Sequence, residues 1–99
     1  MSGVQLRMAG DGMTVAATRR VYGAAPARVV DVLETDGGWH TIQMLHAELQ
    51  VRFGAVAVRT VARAVDRLVA DGLVEHRIAV RWRVNTPAAS PFEVVEVRR

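Results

Sequence analysis

Ninety-nine residues, 51% hydrophobic and 23% charged, make one small folded domain and leave no room for a two-domain enzyme. Cysteine is absent, which excludes disulfides, thiolate metal sites and a cysteine nucleophile. The net charge is +3, and every basic residue is an arginine; the surplus sits in residues 1–23 and 73–99, while residues 24–72 are slightly acidic.

In the first segment, Gly10-Asp11-Gly12 is a turn signal between Val4-Gln5-Leu6-Arg7-Met8 and Met13-Thr14-Val15-Ala16. Two readings stand: a β-hairpin, or a disordered start followed by a short helix capped by Thr14. From Gly23 the pattern is helical. Pro26 suits a first turn, Val29, Val30 and Leu33 recur at helical spacing, and Asp36-Gly37-Gly38 ends the run, giving a helix over about 25–35. Trp39-His40 leaves room for only a bridge-length strand. Thr41 is an N-cap candidate, and Ile42, Leu45 and Leu49 form one stripe of a second helix, with Gln43, Glu48 and His46 toward solvent. This helix ends between Leu49 and Gly54.

Val56 to Asp71 is the clearest helix, with Val61, Val65 and Leu68 as its buried stripe and Asp71-Gly72 as its stop. From Val74 the period becomes two. Val74, His76, Ile78, Val80, Trp82 and Val84 share one face, and Glu75, Arg77, Ala79, Arg81, Arg83 and Asn85 share the other. The expectation is an inward face carrying Ile78, Val80 and Trp82 and an outward face carrying Arg81 and Arg83. Residues 86–91 read as a loop, and Phe92 to Val97 as the second strand of an antiparallel hairpin.

The order is helix, short strand, helix, helix, hairpin, so the fold class is α+β. Thr41-Ile42-Gln43-Met44-Leu45 looks like the capped start of a second helix. The run from Arg59 through Leu68 to Asp71-Gly72-Leu73-Val74 looks like a recognition helix turning into a wing. On these motifs the segment from about Ala24 to Val97 resembles the winged helix-turn-helix superfamily of DNA-binding domains. The resemblance implies three helices with a C-terminal antiparallel wing over residues 24–99, preceded by an N-terminal extension over 1–23. It also implies a helix over about 57–71 in the major groove of double-stranded DNA, with the 74–97 hairpin alongside.

The residues themselves add a physical argument. Arg59, Arg63 and Arg67 stand four apart, so they drift only about 40° per step and form one ridge off the apolar stripe. Arginine on such a helix can fork onto guanine or bind phosphate. The ordinary explanation is a solvated face, with Arg63 and Arg67 paired to Asp66 or Asp71. Thr60 and Val58 lie near the start of the same helix, and Val58 could touch a thymine methyl. Arg77, Arg81 and Arg83 are the wing candidates, Arg81 and Arg83 being nearest its tip. The backbone N–H of Thr41 could meet a phosphate, though a plain cap explains it as well.

The sequence departs from the superfamily at Gln50 to Val56, which is long and apolar for the turn between the helices. Either the second helix runs on or the turn carries an insertion. Ala57-Val58 also stands where polar base-reading residues are usual.

No phosphate loop, nucleophile motif or metal motif occurs, and His40 and His46 do not converge, so no enzyme, cofactor or metal is expected. His76 reads as a core or boundary histidine, and Trp39 as packing near the wing. No apolar run approaches the ~18 residues of a membrane span and Arg7 breaks the N-terminal stretch, so a cytoplasmic protein with no membrane role is expected.

The function that follows is double-stranded DNA binding by a small bacterial or phage transcriptional regulator. The alternatives are a winged-helix module that binds protein without contacting DNA, and a DNA-architecture or recombination accessory protein. A homodimer through residues 1–23 or 51–58 would supply a second recognition helix.

Overall fold

The computed structural model describes residues 13–82 and 91–99. The elements are α1 (Val15–Tyr22), α2 (Ala24–Asp36), β1 (His40–Thr41), α3 (Ile42–Phe53), α4 (Val58–Ala70), β2 (Glu75–Trp82) and β3 (Pro91–Arg98). The described part is therefore α+β with four helices, not three, and a three-stranded antiparallel sheet in the order β1-β3-β2. No helix among the described residues is long and apolar enough to cross a membrane.

The additional helix is α1, the second of the two readings for this segment. Thr14 Oγ1 accepts the Ala17 N–H at 3.0 Å, and the extended backbone at Thr14 starts the helix. Met13, Val15 and Tyr22 abut the core and Thr18 is fully buried, its hydroxyl donating to the Thr14 carbonyl at 2.8 Å. Helical spacing at Val15, Thr18 and Tyr22 thus displaces the hairpin reading for Met13–Ala16. The proposed partner run Val4–Met8 lies outside the described residues. Gly23 both closes α1 and opens α2, at φ +102°; its N–H donates to the Arg19 carbonyl and its carbonyl accepts from Ala27.

The core lies where α2, α3 and α4 meet. Val29, Val30, Val32, Leu33, Leu45, Leu49, Val61, Ala64, Val65 and Leu68 are buried there, joined by Leu73, Val74 and Val97. Burying each of the larger side chains contributes about 1.5–3 kcal/mol. Thr41 caps α3, its Oγ1 accepting the Met44 N–H at 3.1 Å.

The long apolar stretch after Leu49 is explained by α3 running on to Phe53. The turn to α4 is then only Gly54-Ala55-Val56-Ala57. Accordingly α4 begins at Val58, and Val56 belongs to the turn. His46 does not face solvent freely: its Nε2–H donates to the Val56 carbonyl at 2.8 Å and pins this turn.

The end of α4 is a Schellman motif. Leu73 N–H donates to the Leu68 carbonyl and Gly72 N–H to that of Val69, with Gly72 at φ +77°. Leu68 and Leu73 are both buried, which is the apolar contact this motif favours.

The sheet joins the helices at its base. His40 pairs with Val97 and Thr41 with Glu96, while β2 pairs with β3 from Glu75↔Arg98 to Trp82↔Pro91. β3 starts at Pro91, one residue before the expected Phe92, where a missing N–H is tolerated.

The hairpin differs from its expected burial. Ile78 is 62% exposed and Val80 55%, and His76 is exposed rather than at a core boundary. The two-residue period correctly groups these side chains on one face, but above Val97 that face is the open one: on the opposite face Ala79, Phe92 and Val94 are half-buried and Glu96 is buried, so the sheltered side is the reverse of the expectation. The Trp82 side chain and residues 83–90, among them Arg83, Val84 and most of the expected 86–91 loop, lie outside the described residues.

Candidate nucleic-acid interface

The outer face of α4 follows from its inner one. Val61, Ala64, Val65 and Leu68 are buried, so at about 100° per residue Arg59, Arg63 and Asp66 point directly away from the core. Thr60 and Arg67 flank that line on one side. All five are exposed, as is Val58 at the helix start.

Arg59 and Arg63 make no ion pair, hydrogen bond or ring contact among the described residues. Arg63 therefore does not pair with Asp66 or Asp71, as a plain solvated face would have allowed. Arg67 does. Its Nε lies 3.8 Å from Asp71 Oδ2, and its guanidinium sits 5.0 Å from the centre of the Tyr22 ring. Tyr22 Oη donates to the same Asp71 oxygen at 2.7 Å, which raises the phenol above its usual titration range. Asp71 thus ties the end of α4 to the end of α1. Next to this tie, Ala25 and Pro26 of α2 border a shallow groove with Thr60, Arg63, Ala64 and Arg67.

The arginines of the sheet are arranged differently. Glu96, only 3% exposed, accepts from Arg77 Nε at 2.8 Å on one oxygen and from Arg81 Nη2 on the other. The hydrogen bond from Arg77, helped by the charge of Arg81, holds the Glu96 carboxyl below the usual carboxylate range. Arg98 Nε donates to Glu75 Oε1 at 2.8 Å, which depresses Glu75 in the same way. Trp39 lies between these pairs, with Arg77 at 4.1 Å and Arg98 at 4.6 Å from its ring centre. Trp39 is therefore packed against the sheet, and it is the cations of β2 and β3 that hold it.

The expected site residues thus separate into groups. Arg59, Thr60, Arg63 and Arg67 are brought together on one exposed side of α4, whereas Val58 is exposed on the opposite side of the helix start. Arg77 and Arg81 are exposed but share one buried carboxylate. Thr41 spends its side chain on the α3 cap. Arg83 lies outside the described residues. Trp39 packs beside the wing strands as expected, but the reading of single residues missed Glu96 and Tyr22; the one available signal was an acid interrupting the apolar run Val94-Val95-Glu96-Val97 opposite an arginine strand.

The histidines stay apart. His40 is buried near β1, with Nδ1 3.3 Å from the Gly38 carbonyl and Nε2 3.6 Å from Asp36 Oδ2. Among the described residues, no three potential ligands group to hold a metal ion.

No protein-family model matches this chain, and no curated protein or solved structure matches it.

Proposed function

We propose that this protein binds double-stranded DNA as a winged helix-turn-helix domain, with α4 entering the major groove. The observation that carries this reading is the face of α4. Two arginines, one helical turn apart, project from it without a partner among the described residues, on a cylinder whose diameter suits the groove. The element order from α2 onward and the sheet order β1-β3-β2 support it, as does a sequence pI near 11.0.

In this reading Arg59 and Arg63 are the groove residues, with Thr60 beside them and Val58 at the helix start. Arg67, steadied by Tyr22 and Asp71, serves the flanking phosphates. Arg77 and Arg81 are weaker phosphate partners, because Glu96 offsets one of their two charges. Asp66 on the same face repels phosphate, so it sets an orientation in which its side of the helix faces a base edge, such as the amino group of cytosine. A small bacterial or phage transcriptional regulator in the cytoplasm is the role that fits.

The experiment is a salt titration of binding to random duplex DNA, followed by selection of preferred sites. Binding that weakens linearly in log affinity against log salt, with a slope set by the neutralised phosphates, supports the proposal. Absence of binding at low salt overturns it.

A protein-binding module is the second reading, favoured by a specific observation. Val51 is 81% exposed, and Phe53 and Val58 are also exposed around the α3–α4 turn.

A further inference from the structure

Among the described residues the outer edge of β2 is unpaired. In the order β1-β3-β2 this strand is terminal, and no other described segment pairs with it. Its backbone N–H and C=O groups on that side form a ready template for another strand. Natural edges are usually blunted by charge, proline or a bulge. Here proline is absent from Glu75–Trp82, the pairing with β3 is regular throughout, and the two arginines, though exposed, have their charge partly offset by Glu96. Beside its free backbone the edge presents Ile78 and Val80 on one face, with Val95 of β3 next to Ile78 and itself 43% exposed, and Glu75, Arg77 and Arg81 on the other.

We propose that this edge pairs with the same edge of a second copy of the chain, antiparallel and centred on Ile78. The register is the argument. A two-fold axis perpendicular to the sheet keeps each face continuous, so opposite residues must have the same parity and the axis passes midway between the two copies of one residue. Centring on Arg77 sets Arg77 against itself. Centring on Ala79 sets Arg77 against Arg81. Centring on His76 or Val80 shortens the overlap.

Centring on Ile78 aligns Glu75 through Arg81 of both copies without a like-charged pair. Glu75 then lies opposite Arg81, His76 opposite Val80, Arg77 opposite Ala79, and Ile78 opposite itself. One face gains a central row of Val95, Ile78, Ile78 and Val95 across four strands. On the other face Glu75, already bound to Arg98, meets the Arg81 of the second copy on each side of the axis. The same rows explain why an exposed hairpin carries β-branched apolar residues on one face. This interface is neither of the two segments, 1–23 and 51–58, that the sequence suggested for a dimer, and it does not depend on DNA binding.

Two strand edges bury less than a standard interface, so the dimer forms in a concentration-dependent way. Sedimentation velocity and equilibrium, run to millimolar protein, should show the 10.8 kDa species giving way to one of twice that mass. Ile78→Lys places two ammonium groups opposite each other and should weaken self-association about 10-fold or more, with the monomer's circular dichroism unchanged because Ile78 is exposed.

Because the chain has no cysteine, Ile78→Cys supplies an independent readout. Mild oxidation should join two copies through residue 78, whereas Val95→Cys, one strand removed from the axis, should not cross-link. A monomer at every concentration, together with no cross-link in Ile78→Cys, overturns the proposal. So does a dimer that persists in Ile78→Lys but is lost in Val51→Asp, which would move the interface to the α3–α4 turn.

Discussion

The helices and the hairpin treat an apolar stripe in opposite ways. On α2, α3 and α4 the stripe is the buried side, and the polar side faces water. On β2 and β3 above their base, Ile78, Val80 and Val95 are exposed, while the buried side chain on the charged face is the carboxylate of Glu96. The difference lies in what each element has beside it. The helices cover one another, whereas the hairpin is sheltered mainly on its other face: Val97 and Val74 reach the core at its base, Trp39 lies against Arg77 and Arg98, and Phe92 and Val94 are half-buried near the start of α3. Periodicity thus identifies the side chains that share a face; the neighbouring layer decides whether that face is dry.

The contrast is most easily broken by truncating one residue of each kind. Leu68→Ala removes buried methyl groups between helices and should cost about 2–5 kcal/mol. Ile78→Ala, on the exposed ribbon, should cost no more than about 0.5–1 kcal/mol, most of it β-propensity. Urea denaturation of both variants at dilute concentration checks this. Comparable losses would mean that the hairpin face is covered even in the monomer.

A second comparison sets free arginines against engaged ones. If α4 reads DNA, Arg63→Ala should lose about 1–3 kcal/mol on the preferred site and relax selection at one base pair. Arg81→Ala should weaken all duplexes alike and lower the salt slope by at most about one. Competition binding against selected and scrambled duplexes separates the two patterns. Equal, sequence-independent losses would make α4 a phosphate-binding helix only.

The subtlest effect is the acid limb of stability. Glu96 titrates near its ordinary 4.5 in the unfolded chain and lower when folded, because Arg77 and Arg81 favour its charged form. Its contribution is therefore full above pH 4.5 and is lost as pH falls through the folded value. Glu96→Gln should flatten that limb in a series of thermal melts, leaving a residual slope from Glu75, which Arg98 depresses in the same sense. An unchanged acid limb would show that the carboxylate is not coupled to folding.

Much of the helical part was legible because its signals are local. Thr41 as cap, Leu45 and Leu49 as stripe, and Asp71-Gly72-Leu73 as a stop each depend on residues within one or two turns. The hairpin's pairing was legible for the same reason. Its burial was not, since nothing in Val74–Trp82 records which of the two faces the rest of the chain shelters. Trp39 meets Arg77 and Arg98, and Tyr22 meets Asp71, across separations that no local pattern encodes. On the site, the sequence placed the ridge of Arg59, Arg63 and Arg67 on one face; that Arg67 is held and the other two have no partner among the described residues is a tertiary fact.

Gly23 has a consequence for how this chain could tolerate changes in length. It serves two helices at once, so the joint has no spare residue. One residue added there would turn α1 by about 100° relative to α2 and shift it along its axis. Either Val15, Thr18 and Tyr22 would leave the core, or the hydrogen bond from Tyr22 to Asp71 would have to be given up. The Gly54–Ala57 turn, though His46 holds it at Val56, has four residues and an exposed Ala55 at which an added residue can bulge outward, a freedom this corner lacks. Among variants of this chain, insertions and deletions should accumulate in the second place and be absent from the first.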